Sequence, residues 1–257
     1  MILLLGGTCE TDSIARALVL RGIAVLVSTA TDYPLTLTAH PLIRRRVGAL
    51  NDETLRRLIA THRIDAVVNA AHPYAEVVGG LAQKVSEALV IPYFRFLRPP
   101  LSIGQTDVLH ADGHRAAAEI ARSFEKPILL TVGSKNAFVY VEAVRGTGIP
   151  VYIRVLDRKE SIDACLAAGV SAEAIVAAKG PFSVDDNLSL IRRFLIGVLV
   201  TKDSGEAGGL KEKLEAARRS GVRSILVDRP VAVGPTIDNV QELADKVQQA
   251  LFVRAKQ

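Results

Sequence analysis

The chain has 257 residues, 49% of them hydrophobic and 23% charged, and a net charge of +5 at neutral pH. These numbers exclude a disordered or fibrous chain and leave room for one large domain or two of ordinary size. The positive balance favours an acidic partner, but aromatic residues make up only 5% and Trp is absent, so there is little on which unpaired bases could stack; a small acidic ligand is expected, and nucleic acid is not.

Met1 leads directly into an apolar run that ends at Gly6, too short for a secretion signal or a membrane span, so a cytoplasmic protein without membrane contact is expected. Cys9 and Cys165 are far apart and form no C-x-x-C pair, which predicts neither a disulfide framework nor a metal site. The opening run predicts a strand buried on both faces. Gly6-Gly7-Thr8 then forces a tight turn, and Ile14, Ala15, Ala17 and Leu18 resume at helical spacing. Such a strand, turn and helix can bind a diphosphate, because a helix N-terminus presents unpaired N–H groups and glycine lets the ligand approach the backbone. A second buried strand, 24–29, ends in Ser28-Thr29. An acidic residue about twenty residues past the glycines would select NAD; hydroxyls there, with Arg44 at the head of the Arg44-Arg45-Arg46 run, tilt the expectation to NADP.

A helix capped by Asn51 or Asp52 is predicted to reach about His62, and a strand over 64–70 delivers Ala70, Ala71, His72 and Tyr74 at its carboxyl end. The small residues there would let a cofactor lie against the strand, with His72 and Tyr74 flanking it. Periodicity is lost from Pro99 to Thr106, which places the domain boundary there and predicts domains over 1–98 and 99–257. His110 and His114 have a metal-like spacing, but Gly113 weakens the helix between them and no third ligand is evident. The second half repeats the alternation: strands at 127–132, 150–156, 197–201 and 224–227, and helices from Ser161, after Ser183, from Gly208 and from Asn239. Strands alternating with helices mean parallel sheets, so the expected fold is α/β, two Rossmann-like doubly wound domains with a cleft between them.

His72-Pro73-Tyr74-Ala75 and Thr201-Lys202-Asp203-Ser204-Gly205, with Gly6-Gly7-Thr8 and Glu10, Arg98-Pro99, Thr131 to Lys135, Gly180-Pro181-Phe182-Ser183, Gly208-Gly209 with Lys213, and Arg229-Pro230, resemble the precorrin-6A reductases of cobalamin biosynthesis. The family commonly has Asp-Ala-Thr before His-Pro, where this chain has Asn69-Ala70-Ala71. The resemblance implies hydride transfer from NADPH to a ring double bond of precorrin-6A, giving precorrin-6B. It also implies a polycarboxylate tetrapyrrole as ligand, which agrees with the positive charge. With the strand-end reading above, the candidate NADP residues are Gly6, Gly7, Thr8, Glu10, Ser28, Thr29, Arg44, Ala70, Ala71 and His72. Lys202, Tyr74 and His72 are the candidate proton donors, with Asp203 or Ser204 orienting Lys202, and Arg98, Ser134, Lys135, Arg154, Lys179 and Lys202 are candidate carboxylate clamps. A dinucleotide sensor without chemistry, and a non-redox two-domain tetrapyrrole enzyme, are the competing expectations; the residues leave oligomeric state open.

Overall fold

The computed structural model describes residues 1–32, 34–98, 108–203, 208–231 and 234–254. The chain divides into two compact units, one made of 1–99 with 231–257 and the other of 100–230.

The first unit contains strands β1 (Ile2–Leu5), β2 (Val25–Thr29), β3 (Ile43–Val47), β4 (Ala66–Asn69) and β5 (Tyr93–Phe96), with helices α1 (Thr11–Val19), α2 (Asp52–His62) and α3 (Glu76–Ala88). Every residue of β1, β2 and β4 is buried, as the unbroken apolar runs require. Alternate side chains face opposite layers. Ile2, Leu4, Val25, Val27 and Val68 pack with Ile14 and Leu18 of α1, while Leu3, Leu5, Leu26 and Val67 pack with Leu55 and Ile59 of α2 and Val85 of α3. Asn51 is the cap of α2: its side chain accepts the Thr54 N–H and the Thr54 hydroxyl accepts the Asn51 N–H.

The second unit runs β6 (Val108–Ala111), α4 (Gly113–Arg122), β7 (Ile128–Leu130), α5 (Ala137–Ala143), β8 (Val151–Val155), α6 (Lys159–Ala167), β9 (Ile175–Ala177), α7 (Val184–Arg193), β10 (Val198–Lys202), α8 (Leu210–Arg219) and β11 (Arg223–Val227). Its sheet is wholly parallel, in the order β6-β11-β10-β7-β8-β9. Ser183 caps α7 in a reciprocal box with Asp186, the cap the sequence predicts.

The chain then ends with β12 (Thr236–Ile237) and α9 (Val240–Arg254), and here the expected domain limits need correction. The last 27 residues do not complete the second sheet. β12 pairs with β5, Thr236 beside Arg95 and Ile237 beside Phe96, and the first sheet reads β12-β5-β4-β1-β2-β3. Leu243, Ala244 and Val247 of α9 join the α1 layer, and Asp245 pairs with Arg21 at 2.6 Å. The physical cause is an unpaired edge: β5 without a neighbour would expose a ladder of backbone donors and acceptors, which β12 closes.

Each unit is therefore the doubly wound parallel fold that the alternation predicts. Counted in chain order, the first sheet reads 3-2-1-4-5-6 and the second 4-3-2-5-6-1, the same layout except that the outer strand next to β11 is β6, from the start of the unit, where the first sheet takes β12 from the end of the chain; the order reverses between β1 and β4 and between β7 and β10. No helix among the described residues is long and apolar enough to cross a membrane.

Candidate functional site

In doubly wound sheets, ligands bind beyond the carboxyl ends of the strands where the order reverses. In the first unit those ends are Leu5 and Asn69. Gly6 needs to be glycine because a Cβ there would lie 2.5 Å from Thr11 Cγ2, and Gly7 takes a φ of +105°. Thr11 is fully buried, and its Oγ1 accepts the N–H groups of Gly7 at 3.0 Å and Thr8 at 3.1 Å. The turn is thus held in shape by the chain itself. Those two amides are committed to Thr11, so an anion at this turn meets the open glycine surface and the positive end of α1 rather than these donors. The Thr8 hydroxyl donates to Ala70 O at 3.1 Å, which ties the turn to the end of β4.

Beyond β4, Asn69 is 1% exposed and fully engaged: Oδ1 accepts the Ala71 N–H at 3.1 Å and Nδ2 donates to Tyr93 Oη at 2.8 Å. Arg95 Nη1 donates to the carbonyls of Asn69 and Ala71, each at 3.1 Å. This network fixes Ala70 and Ala71 and delivers His72 and Tyr74, whose rings stack with centroids 5.5 Å apart. The Tyr74 N–H also points to His72 Nδ1 at 3.4 Å.

At the end of β2, Ser28 and Thr29 are buried, and cations do reach them, although not the expected one. Arg46 Nη1 donates to Ser28 Oγ at 2.8 Å, and Arg45 Nη2 lies 3.4 Å from Thr29 Oγ1 and 3.4 Å from Asp32. Arg44 is exposed and lies beside Leu26, two residues short of Ser28, because the β2–β3 register pairs Ser28 with Arg46. Arg98, expected on the substrate, bonds Glu10 at 2.8 Å within this unit. Burial pushes the Glu10 carboxyl up, but its contacts with Cys9, its own amide, Arg98 and Thr8 bring it below the ordinary value.

The corresponding place in the second unit is cationic. Thr131 joins the ends of the central strands, its N–H and hydroxyl both donating to Val200 O at 2.8 and 3.1 Å. Gly133, at φ +87°, turns the chain into a short helical turn, Ser134–Asn136. Lys202 is the last residue of β10, and its ammonium is pushed below the usual lysine range by burial and by the charge of Lys135. Asp203 is 5% exposed, and both its oxygens go to Arg229, Oδ2 to Nε at 2.6 Å and Oδ1 to Nη2 at 3.0 Å. This bidentate pair fixes the strand end. Arg154 of β8 is 7% exposed, with its guanidinium 3.8 Å above the Phe182 ring, and burial, opposed by Asp186, lowers it to about 10. Lys179 is exposed and Ser134 half-buried; Ser204 lies outside the described residues.

Three members of this group were given no site role by the sequence, although Lys213 and Arg229 lie in the blocks that carry the resemblance. Lys213 of α8 is 8% exposed, donates to Gly208 O at 2.6 Å, and is lowered to about 8 by burial and by the charges of Arg154 and Lys202. Leu210, Lys213, Leu214 and Ala217 form the buried stripe of that helix, so its period was the signal that could have found Lys213. His114 Nδ1 is 2.8 Å from Tyr140 Oη, and burial, then Lys202, lowers it to about 4. Arg229 is the third. No sequence pattern links His114 to Tyr140 or Asp203 to Arg229; only the sheet brings them together. His110 pairs with Asp228 at 2.7 Å, and among the described residues no group of three or more His, Cys, Asp or Glu could hold a metal.

Residues 1–250 match the family model described as precorrin-6x reductase CbiJ/CobK. The chain is 29% identical over 231 residues to the cobalt-precorrin-6A reductase of Priestia megaterium, covering 90% of this chain and 91% of that one. It is 31% identical over 231 residues to the Salmonella typhimurium protein of the same name (89% and 87% covered), and 30% identical over 246 residues to the precorrin-6A reductase of Mycobacterium tuberculosis (95% of each). Among solved structures, CobK precorrin-6A reductase superposes with a TM-score of 0.76 at 24% identity, over 97% of this chain and 96% of that one, and so shares its fold.

Proposed function

The chain belongs to the precorrin-6x reductase family, and from that premise we propose that it reduces one ring double bond of precorrin-6A to give precorrin-6B in the assembly of the corrin ring, with NADPH as reductant. The observation that carries the activity is the match of the family model along 1–250, with the relatives aligned over nearly their whole length.

The choice of reductant rests on the first unit. The ends of β1 and β4 present Gly6, Gly7, Ala70 and Ala71, small enough for a dinucleotide to lie against the backbone, and the end of β2 presents two buried hydroxyls with Arg46 and Arg45 on them. Those cations suit a ribose 2′-phosphate and disfavour a residue that selects a free hydroxyl. Gly6, Gly7 and Thr8 with α1 would hold the diphosphate; Ser28, Thr29, Arg45 and Arg46 the adenosine end; Ala70, Ala71 and His72 the remainder. Bound there, the cofactor supplies the hydride.

The protein's own work is to bind, orient and move a proton. Lys202, with Ser134, Lys135 and Arg154, holds carboxylates of the macrocycle, and the Asp203–Arg229 pair keeps the end of β10 in place. Lys202 is also the group best suited to release a proton to the ring, since burial and Lys135 make its ammonium more acidic. His72 and Tyr74, stacked on one another, flank the cofactor end.

The test is to incubate the purified chain with NADPH and either precorrin-6A or its cobalt complex. Loss of the cofactor's near-ultraviolet absorbance should accompany a product heavier by two hydrogens with one or both substrates. Stable cofactor in the presence of both would sink the reading.

A further inference from the structure

Among the buried polar atoms of the second unit that lack a hydrogen-bond partner are Nη2 of Arg154, Oγ1 of Thr201 and Oε2 of Glu212. Buried polar groups are almost always satisfied, so the two possible donors that share a layer, Arg154 Nη2 and Thr201 Oγ1, point to an acceptor that binds there. That they share a layer follows from the register. Leu130 of β7 stands opposite both Ile153 and Val200, so the next row of the sheet is Arg154, Thr131 and Thr201, all on one face. The same face carries Tyr152, Leu129 and Leu199, which pack on α7 and α8. Lys213 and Glu212 come from α8, and the Lys213 ammonium feels the charge of Arg154.

The walls are equally defined. The Arg154 guanidinium carbon lies 3.8 Å from the centre of the Phe182 ring, a contact that holds the group without taking a hydrogen bond and leaves Nη2 for another partner. Gly209, at φ +64°, stands close by: a Cβ there would come within 3.6 Å of Glu212 Oε2 and 4.0 Å of Phe182 O. One of the three N–H donors of Lys213 goes to Gly208 O. The cations at the spot are Arg154 and Lys213, and Lys202 at the end of β10 adds its charge at Lys213; the acids are Glu212 and Asp186, the latter with Oδ2 taken by the Ser183 N–H and hydroxyl.

We propose that Arg154 Nη2, Lys213 Nζ and Thr201 Oγ1 form a seat for a single oxyanion, and that its occupant is one peripheral carboxylate of the tetrapyrrole. The inference rests on the reductase reading and deepens it by naming residues that hold one substrate arm. Charge selects the occupant: three cations over two acids favour a singly charged group, and Glu212 repels a doubly charged phosphate more strongly than a carboxylate. The seat also accounts for a hydroxyl buried beside Val198, Leu199 and Val200 in β10.

The experiment uses the full chain and the variants Lys213→Met, Thr201→Val and Arg154→Met, with Arg192→Ala as an exposed-charge control. Melting is followed with added acetate or inorganic phosphate, and steady-state kinetics are run with tetrapyrrole and NADPH. Acetate should raise the melting temperature of the wild type and of Arg192→Ala, phosphate should raise it less, and Lys213→Met and Thr201→Val should lose most of the acetate response. In both variants KM for the tetrapyrrole should rise about tenfold, with kcat and the KM for NADPH nearly unchanged. Thr201→Val is close to isosteric and keeps the test open if Arg154→Met fails to fold. An acetate response unchanged in the variants removes the seat even when reduction proceeds normally, and a larger response to phosphate overturns the carboxylate assignment. Acetate binding at the seat in a chain that oxidises no NADPH with any tetrapyrrole would defeat the reductase reading instead.

Discussion

In the first unit the reversal of strand order falls among Gly6, Gly7, Ala70 and Ala71, while in the second, a six-stranded parallel sheet with a like reversal, it falls among Lys135, Lys202, Lys213 and Arg154. One topology supplies two crevices of opposite chemistry. The first is shaped by what is missing, a Cβ at Gly6 and any atom beyond Cβ at Ala70 and Ala71, and so suits a backbone-hugging ligand. The second is lined by cations, Arg154 and Lys213 among them buried, and so suits an anion. The fold decides where a ligand goes; the side chains at the strand ends decide which ligand.

The comparison is broken most severely at Lys202. Lys202→Ala should lower kcat/KM for the tetrapyrrole about 100-fold while NADPH binding stays intact. Lys202→Arg separates the two parts proposed for it: recovery of KM without kcat assigns proton release to the ammonium, and recovery of both assigns only a carboxylate clamp. Kinetics of Lys202→Ala that match the wild type would remove the residue from the site.

A second contrast lies in the two glycine turns. Gly6→Ala forces a Cβ into Thr11 and should cost roughly 1–3 kcal/mol of stability in the first unit. Gly133→Ala meets no atom within 4 Å but is strained by its backbone at φ 87°, ψ 168°, a region almost confined to glycine, and should cost roughly 1–3 kcal/mol in the second for that different reason. Hydrogen exchange in β1 and β7 would read the two losses separately; no loss in Gly6→Ala would mean that Thr11 does not hold the first turn rigidly.

Much of this was readable beforehand and some was not, for identifiable reasons. The unbroken apolar runs of β1, β2 and β4 and the caps Asn51 and Ser183 are local signals, and they place elements well. The destination of α9 is not local: a helix pattern says that a sheet will be covered but not which one, and β12 is too short to announce itself. Arg44 was preferred over Arg45 and Arg46 because only the register shows which residue of β3 stands beside Ser28. Asp203 reads as a partner for Lys202 because they are adjacent in sequence; that its oxygens also meet Arg229, 26 residues on, no local pattern shows. Lys213 sits in a Lys- and Glu-rich stretch that resembles a solvated face.

Ser28→Asp is a sharper and smaller probe. A carboxylate beside Arg46 would compete for the cation and repel a 2′-phosphate, so the preference for NADPH over NADH should fall about tenfold. Equal losses for the two cofactors would undo the 2′-phosphate argument.

The smallest effects are in pH dependence, and they separate the units again. His114 is held near 4 against an ordinary 6.5, so the unfolded chain takes up its proton first; the stability this contributes is present above 6.5 and is lost as pH falls through about 4. Lys213 behaves likewise between 10.5 and about 8, its neutral form being favoured by burial, so the second unit gains stability as pH rises through that window. His114→Gln should flatten the acid limb and Lys213→Met the alkaline one, each seen as exchange protection in β7 and β10 with β1 and β4 unaffected. Unaltered limbs in both variants would show that these groups are not buried as described.

The central claim, that the first crevice takes the dinucleotide and the second the anionic substrate, is tested most directly by titrating NADPH into Arg46→Ala and Lys202→Ala and following cofactor fluorescence. The account predicts weakened NADPH binding in Arg46→Ala and wild-type binding in Lys202→Ala. The reverse pattern, with NADPH binding lost at Lys202 and untouched at Arg46, would contradict it.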